Sequence, residues 1–349
     1  MDRLVRYATL ICYPELARSL GLDPERLLAA EGLDAAELAD QDRWVAAAPV
    51  GRLLERSATE SGREDFGVRL AGLRRLSALG PLSVVLREEP DLRSALGLLI
   101  RYQHAYNGIL DLRLVEADDL ATVHVWLEFG EPVVVRQALD QTTATLVSII
   151  RMLMRADWRP LVVCFSHPAP ADLTVFHQVF GPALRFDHEF TGVSFPARDL
   201  DAPRVTADPV LRTYTGQLLQ SLPAPRAATT ADEVRSLVEF LMPLGRCSMT
   251  QVSRELGVQP RTLHRRLAAE GQSFSAIAQT TRTRLATRYL ANERYSLTEI
   301  SGLLGFATPS AFSTWFRQHF GTSASEWRAR TRTVPAITGA VPVKVGQCG

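Results

Sequence analysis

Two short segments near the C-terminus concentrate side chains that can hydrogen-bond to a nucleic acid. In each segment the polar residues surround two large apolar residues one helical turn apart, Leu263 and Leu267 in the first and Phe312 and Phe316 in the second. Arginine and glutamine can bind base edges, and serine, threonine and further arginines can bind phosphates. The predicted contacts are Gln259, Arg261, Thr262, His264, Arg265 and Arg266 in the first segment and Thr308, Ser310, Ser313, Thr314, Arg317 and Gln318 in the second.

The helices that must position these segments begin in the same way in both copies. Ser248 and Ser296 are each followed three positions later by Gln251 or Glu299, which is the spacing of a capping box. Apolar residues follow at helical spacing, then a glycine, and then a second helix opened by proline. Two helices joined by such a turn form a helix-turn-helix, whose second helix, the recognition helix, can lie in a DNA major groove.

A third predicted helix, Phe274–Asn292, connects the two motifs. A helix of about 18 residues is about 27 Å long, and successive major grooves on one face of a duplex lie roughly 34 Å apart. This connector could therefore place both recognition helices in adjacent grooves. The alternative is a pair of helical hairpins with solvated charged faces, and the duplication in register favours the DNA-binding interpretation.

Residues 246–330 resemble the DNA-binding domain of AraC/XylS-family transcription regulators. The resemblance rests on the segments Ser248–Val252, Leu256–Val258, Arg261–Leu267, Ser296–Ile300, Leu304–Phe306, Phe312–Phe316 and Phe320–Gly321. It departs from the common pattern at Ser301, where alanine is usual, and at Ser323-Ala324-Ser325, where Ser-Pro is usual. The resemblance implies an all-α domain with two helix-turn-helix motifs that binds promoter DNA.

Charge is distributed unevenly along the 349 residues. From Arg246 to the C-terminus there are 14 Lys and Arg against 5 Asp and Glu, whereas the residues before Arg246 include 25 against 33. Affinity for a polyanion is therefore expected in the C-terminal part, and the acidic part is expected to avoid DNA.

Composition and motif spacing argue against several other classes of protein. No apolar run is long enough to span a membrane and the first residues lack the layout of a signal peptide, so we expect a cytoplasmic protein that does not contact a membrane. The four cysteines lie far apart, without the spacing of a metal or redox site. We therefore expect no metal and no cofactor, and the histidines show no catalytic motif, so we expect no enzymatic activity.

A segment rich in proline, alanine and threonine, residues 223–230, is predicted to be a linker between two domains. Residues 1–222 form the predicted ligand-sensing domain, and residues 231–332 form the predicted DNA-binding domain. Residues 333–349 lack periodicity and are expected to be disordered.

The N-terminal domain is predicted to be α+β, because helical patterns dominate residues 1–105 and strand patterns appear afterwards. The predicted helices are Tyr13–Ser19, Pro24–Glu31, Val50–Ser61, Asp91–His104, Pro132–Arg155 and Ala171–Phe180. The predicted strands are Ile109–Glu116, Ala121–Phe129, Leu161–Phe165, Leu184–Phe186 and Phe190–Phe195. This order favours an antiparallel or mixed sheet with helices over an all-β barrel.

This arrangement resembles the sensor domain of AraC-type regulators in the ornithine-regulator and mycobacterial virulence-regulator subgroup. The resemblance rests on Gly67–Ala71, Leu79–Leu82, Leu96–His104, Phe180–Pro182 and Leu184–Phe186. It implies an arabinose-binding-type domain that senses a small molecule.

Six side chains could line an effector pocket in this domain. An arginine on the long apolar helix could bind a carboxylate with two hydrogen bonds, and aromatic side chains could pack against the rest of the molecule. The alternative is that the aromatics belong to the core and the arginines form surface ion pairs. The candidates are Tyr102, His104, Tyr106, Trp126, Arg136 and Arg151.

We therefore expect a sequence-specific, DNA-binding transcription regulator that responds to a small-molecule effector. A second hypothesis restricts the N-terminal domain to dimerisation or to binding a protein partner. A third, an enzyme with an attached DNA-binding module, lacks a catalytic motif. The expected partners are double-stranded promoter or operator DNA, a small-molecule effector, RNA polymerase and a second copy of the chain.

Overall fold

The computed structural model of the chain describes residues 3–129, 134–155, 157–203, 229–243, 245, 247–291 and 295–332. It consists of two compact units, Met1–Arg226 and Ala227–Gly349. Most of the predicted linker, residues 223–228, and the predicted tail, residues 333–349, lie outside the described residues. Thr229 and Thr230, at the end of the predicted linker, cap and begin the first helix of the second unit.

The first unit begins with helices and a small sheet. Its elements up to residue 102 are β1 (Leu4–Arg6), α1 (Tyr13–Ser19), α2 (Pro24–Ala30), β2 (Trp44–Ala46), α3 (Ala47–Ser61), α4 (Phe66–Leu73), α5 (Leu82–Arg87) and α6 (Leu92–Tyr102). Strands β1 and β2 were not predicted from sequence, and they pair antiparallel with Val5 opposite Val45. Strands of three residues are too short for an alternating pattern to be recognised.

A mixed five-stranded sheet follows, as predicted. Its elements are β3 (Leu110–Ala117), β4 (Leu120–Leu127), α7 (Arg136–Leu153), β5 (Val162–Cys164), α8 (Thr174–Phe180), β6 (Leu184–Arg185) and β7 (Thr191–Pro196). The strand order is β3-β4-β7-β5-β6, with β5 and β6 parallel and the other neighbours antiparallel. Asp118 and Asp119 have φ values of 49° and 63° in the turn between β3 and β4, which a two-residue hairpin turn of type I′ requires.

The long helix α7 packs on one face of this sheet. Val123 of β4 and Val147 and Ile150 of α7 are fully buried in one hydrophobic cluster. A second cluster lies among α1, α2 and α3. Helix α4 contributes to both, since Val68 belongs to the sheet cluster and Phe66 to the helical one, and it therefore anchors the first helices to the sheet.

Helix α4 approaches α7 so closely that position 67 must be glycine. A Cβ atom at Gly67 would lie 2.1 Å from the backbone oxygen of Gln137. The Gly67 amide donates to the Gln137 side-chain oxygen at 2.8 Å, and the Gln137 side-chain nitrogen donates to the Glu64 carbonyl at 2.9 Å. The glycine of the Gly67–Ala71 segment is thus needed for helix packing.

The second unit is all-α, as predicted. Its helices are α9 (Thr230–Leu241), α10 (Met249–Glu255), α11 (Pro260–Ala269), α12 (Phe274–Ala291), α13 (Leu297–Leu303), α14 (Pro309–Phe320) and α15 (Ala324–Arg332). Val252, Leu263, Ile300 and Phe316 are fully buried in a shared hydrophobic cluster. Helix α9 packs against α10, α11 and α12, and α12 packs against α13 and α15. Within the described parts of both units, no helix has the length and apolar character needed to cross a bilayer.

Candidate DNA-binding interface and effector cavity

The first helix-turn-helix consists of α10, a turn at Gly257 and α11. Ser248 caps α10 by accepting a hydrogen bond from the Gln251 amide at 3.1 Å. Gly257 has a φ of +65°, a conformation that glycine adopts without strain. Pro260 occupies the first turn of α11, where its missing N–H is not needed.

The capping box predicted at the start of α10 is only half formed. The Gln251 side-chain nitrogen donates to Glu255 at 2.8 Å, so this side chain turns along the helix rather than back to its cap. The second copy has the complete box, since the Ser296 hydroxyl accepts from the Glu299 amide and the Glu299 carboxylate accepts from the Ser296 amide at 2.7 Å. A carboxylate is also a stronger acceptor than a neutral amide, so Gln251 has less to gain from the cap than Glu299 has.

The recognition helix α11 buries one face and exposes the other. Leu263 and Leu267 are at most 1% exposed, and with about 100° of rotation per residue Arg265 lies opposite them. Arg261 lies on the same exposed face, four residues before Arg265. Of the predicted contacts, the exposed ones are Gln259, Arg261, His264, Arg265 and Arg266, and the half-buried one is Thr262.

The second helix-turn-helix consists of α13, a turn at Gly305 and α14. The buried Ser301 hydroxyl donates to the Thr308 carbonyl at 3.1 Å, which ties α13 to the start of α14. The Thr308 hydroxyl caps α14 by accepting from the Ala311 amide at 3.2 Å. Serine at position 301, where alanine is the common residue, therefore adds a hydrogen bond across the turn.

The recognition helix α14 exposes a less basic surface than α11. Phe312 and Phe316 are fully buried, and the exposed side chains among the predicted contacts are short hydroxyls, one arginine and one glutamine. The six predicted contacts are all exposed, namely Thr308, Ser310, Ser313, Thr314, Arg317 and Gln318. The first recognition helix thus offers three arginines to a polyanion, and the second offers one.

The arginines on the two recognition helices have no carboxylate partner among the described residues. Ion pairs of the second unit include Arg235 with Asp232 and Arg284 with Glu239, each at 2.6 Å, and these arginines lie on α9 and α12. Exposed guanidinium groups without an ion pair are available for phosphates or base edges.

The connector α12 is fixed to both sides of the second unit by polar contacts. It extends over Phe274–Ala291, close to the predicted span. Arg284 pairs with Glu239 of α9, and Arg282 donates to the Leu304 carbonyl at the end of α13 at 3.0 Å. Because contacts join α12 to both α9 and α13, the connector can hold the two motifs in a fixed relation.

The first unit contains a partly open cavity of about 60 Å³. It lies where β1, the segment after α4, α6, β3 and α7 meet. Most of its walls are apolar, and its polar groups are two arginines, a tyrosine, two amides and three hydroxyls of threonine. The lining residues are Arg6, Ala8, Thr9, Arg74, Ala78, Leu79, Leu99, Tyr106, Asn107, Leu110, Leu112, Gln141, Thr142, Thr145, Leu146 and Ile149.

Of the six predicted effector contacts, the structure places Tyr106 in this cavity and the other five elsewhere. Tyr102 is a buried residue at the end of α6, and His104 is exposed in the turn that follows. Trp126 is half-buried on the face of β4 opposite the buried valines, because successive side chains of a strand point to opposite faces. The Arg113 guanidinium lies 5.5 Å from the Trp126 ring.

The two arginines predicted as carboxylate anchors have partners within the protein. Arg136 contacts Glu64 at 3.2 Å, and Arg151 donates to the Val179 carbonyl at 2.7 Å. Neither lines the cavity. Their role as effector anchors stays a prediction, and these partners fit the alternative in which the arginines make structural contacts.

A buried histidine–aspartate pair lies near Arg136. His167 Nε2 lies 2.8 Å from Asp140 Oδ1, and the Asp140 side chain is fully buried. Burial raises the pKa of Asp140, although the hydrogen bond from His167 opposes the shift. Burial alone would lower the pKa of His167, but the hydrogen bond and charge of Asp140 outweigh it and raise that pKa.

The two arginines of the cavity, Arg6 and Arg74, were not among the predicted effector contacts. Arg6 ends a three-residue strand and Arg74 directly follows α4, so neither belongs to a periodic pattern. The available signal at Arg6 was a charged residue between the apolar Val5 and Tyr7. No comparable signal marked Arg74.

Known proteins match both units. A family described as the N-terminal arabinose-binding domain of AraC transcription regulators matches residues 21–204, and a helix-turn-helix domain family matches residues 252–330. The HTH-type transcriptional regulator VirS of Mycobacterium tuberculosis is 31% identical over 331 residues, which cover 94% of this chain and 97% of VirS. The ornithine utilization regulator of Pseudomonas aeruginosa is 28% identical over 271 residues, which cover 76% of this chain and 79% of that protein.

A solved structure, the transcriptional regulator CdpR from Pseudomonas aeruginosa, is 20% identical to this chain with a TM-score of 0.40. The match covers 88% of this chain and 96% of CdpR.

The paired helix-turn-helix motifs define a DNA-binding transcription regulator. The chain belongs to the AraC family, because the N-terminal family match spans more than half of it and the identity with VirS extends over nearly its whole length. This family consists of transcription regulators rather than enzymes.

Proposed function

We propose that the N-terminal domain binds a small-molecule effector and that binding changes how the two helix-turn-helix motifs occupy promoter DNA. The observation that carries this proposal is the cavity of the first unit, which combines largely apolar walls with polar side chains that include two arginines. Ligand sites in proteins typically have this composition. Thirteen of the sixteen lining residues fall within the region that matches the arabinose-binding domain family, and that match supports the same role.

Helix α11 is proposed to make the principal contacts with DNA. Arg265 lies at the centre of the exposed face and is the proposed base contact, with Arg261 and Arg266 beside it. The hydroxyls and the arginine of α14 are proposed to bind mainly phosphates. The excess of basic residues in the second unit and its own hydrophobic cluster support residues 231–332 as the DNA-binding module.

RNA polymerase and a second copy of the chain are proposed as further partners. Membership of a family of transcription regulators supports a contact with RNA polymerase at the promoter. Co-purification of the full chain with RNA polymerase on promoter DNA would test that contact, and polymerase retention no greater than on the same DNA without the chain would contradict it.

Effector binding is tested by two measurements on the full chain, its thermal stability and its affinity for operator DNA. A ligand that binds only the folded chain at about 100 times its Kd stabilises it by about 2.7 kcal/mol, so a metabolite panel is first screened by thermal unfolding of the full chain. Ligands that raise the Tm are then added to an operator titration followed by fluorescence anisotropy. A fragment of residues 229–332 is the control, since its DNA affinity must not respond. The proposal fails if no stabilising ligand changes operator affinity of the full chain.

A second candidate restricts the N-terminal domain to dimerisation. Leu73, Val84 and Met152 are 45–51% exposed on helices of the first unit, and a dimer contact there would remove these apolar side chains from water. Sedimentation of the full chain and of the Val84→Asp variant separates the candidates. A dimer that this variant disrupts, together with operator binding that no ligand alters, would favour dimerisation alone.

A further inference from the structure

Two arginines line the cavity, and one of them has a carboxylate partner. Arg6 is 8% exposed and pairs with Asp42. Arg74 contacts no carboxylate among the described residues. Its Nη1 donates weakly to the Thr145 hydroxyl at 3.5 Å, and its Nε is buried without a hydrogen-bond partner. One guanidinium charge at the cavity is therefore not neutralised.

The surroundings of Arg74 disfavour its charge. Burial, followed by the positive charge of Arg6, lowers the pKa of Arg74 to about 10, with a smaller opposing effect of Cys12. The group still carries its proton at neutral pH, so the fold holds a partly desolvated cation beside a second cation. A bound anion would offset that cost and supply the missing hydrogen bond.

Four of the six uncharged polar side chains of the cavity, those of Tyr106, Gln141, Thr142 and Thr145, donate to the backbone. The Tyr106 hydroxyl donates to the Leu99 carbonyl at 3.0 Å, and the Gln141 side-chain nitrogen donates to the Thr9 carbonyl at 2.7 Å. The Thr145 hydroxyl donates to the Gln141 carbonyl at 2.8 Å. A ligand with many hydroxyls would find few partners here, because most of these uncharged donors are already engaged by backbone carbonyls.

The size of the cavity limits the ligand. One water molecule needs about 10–15 Å³ of comparable volume, so a cavity of about 60 Å³ accommodates about four to six water-sized groups. Leu79, Leu99, Leu112 and Ile149 form much of the wall, and they favour hydrocarbon over further polar groups. A carboxylate with one to three further carbon atoms has this size and this division into a charged and an apolar end.

We propose that the cavity binds a short-chain aliphatic monocarboxylate, with the carboxylate on Arg74 and the hydrocarbon against Leu99 and Ile149. A monoanion fits because a single guanidinium lacks a partner, whereas a dianion would leave a negative charge against apolar walls. This inference rests on the proposed function, since it names the chemical class of the effector.

The test measures butyrate binding to the full chain by isothermal titration calorimetry, with butyramide as a neutral analogue of similar size. Butyrate should bind and butyramide should not. Arg74→Gln should weaken butyrate binding about tenfold or more, because a hydrogen bond to a charged group is lost. Arg75→Gln is the matched control, since Arg75 is exposed and does not line the cavity. Equal binding of butyramide, or undiminished butyrate binding by Arg74→Gln, would overturn the proposal.

A second variant keeps both arginines and removes the space. Ala78 is buried in the cavity wall, and Ala78→Leu fills part of the cavity without changing any charge. This variant should lose butyrate binding while its circular dichroism spectrum stays that of the parent chain. Butyrate binding that survives Ala78→Leu would place the carboxylate elsewhere, even if Arg74→Gln fails to fold.

Operator binding by the full chain, with and without butyrate, separates this inference from the proposed function. Arg74-dependent butyrate binding with unchanged operator affinity would support the site and contradict the proposed function. A different small molecule that alters operator affinity in both the parent chain and Arg74→Gln would support the proposed function and contradict this inference.

Discussion

Arginines in the first unit pair with carboxylates at many points of the surface, whereas those on the recognition helices of the second unit have no such partner among the described residues. The pairs in the first unit include Arg3 with Glu128, Arg26 with Glu60, Arg52 with Glu31, Arg69 with Asp65 and Arg93 with Asp201. An exposed ion pair contributes little to stability, about 0–1 kcal/mol, but it neutralises both groups. The paired surface therefore has little attraction for a polyanion, and the unpaired one keeps it.

Arg74 is the informative case among the arginines of the first unit that lack a carboxylate partner in the described residues. Like the arginines of the recognition helices, it has no carboxylate partner among the described residues, but it lines a small cavity instead of an exposed helix face. A long polyanion cannot enter a cavity of about 60 Å³. Location thus decides what an unpaired cation can bind, a phosphate backbone on a helix surface or a small anion in a cavity.

The largest difference in DNA binding is expected between the two units when each is produced as a separate fragment. Residues 229–332, which retain the Thr229 cap of α9, should bind duplex DNA alone, and residues 1–222 should not. If about six phosphates are contacted, affinity should fall about a thousandfold between about 50 and 200 mM salt. Fluorescence anisotropy with a labelled duplex measures both. DNA binding by residues 1–222 and none by residues 229–332 at low salt would show that the assignment is wrong.

Loss of a single unpaired arginine should reduce the preference for the operator over random DNA. Arg265→Ala should cost about 1–3 kcal/mol in binding to the specific operator, and less on random DNA, if Arg265 makes a bidentate base contact. Arg235→Ala is the control, because Arg235 is paired with Asp232 on α9. Competition titrations with specific and random duplexes measure the difference. An equal loss on both duplexes would make Arg265 a phosphate contact.

Paired and unpaired arginines should differ in their effect on stability. Arg69→Ala should destabilise the first unit by about 1–3 kcal/mol, because it leaves the buried Asp65 without its partner at 2.8 Å. Arg317→Ala should change stability by less than about 0.5 kcal/mol, while it weakens DNA binding. Chemical denaturation of residues 1–222 and of residues 229–332 tests the two variants. Similar losses of stability in both would remove the distinction between paired and unpaired arginines.

The smallest expected effect is a pH dependence confined to the first unit. The raised pKa of His167 means that its protonation contributes stability that is fully present below about pH 6.5, the unfolded value, and is lost as pH rises through the folded-state value. Asp140→Asn removes the charge that raises this pKa, and burial then lowers it. The Tm of residues 1–222 should therefore fall between pH 6 and 8 in the parent and not in Asp140→Asn. Parallel curves would exclude the pair as the cause.

The helix-turn-helix motifs could be predicted closely from sequence, because their signals are local. Caps, the glycine of each turn and the buried apolar residues lie within a few positions of one another, so the exposed face of each recognition helix follows from the helical repeat. The half-formed box at Ser248 could not be predicted, because Glu255 competes for the Gln251 side chain one turn later. Spacing alone does not state which of two available partners a side chain takes.

In the first unit the sequence by itself determined the α+β class, most of the helices and the strands of the main sheet. The order of those strands and the cavity were decided by tertiary structure. Arg6 and Arg74 meet because β1 and the segment after α4 converge beside α7, and α4 can approach α7 only with glycine at position 67. Periodicity indicates which face of an element is buried, but the partner of a buried charge depends on the packing of elements far apart in the chain. That packing placed Arg74 in the cavity without a carboxylate partner among the described residues.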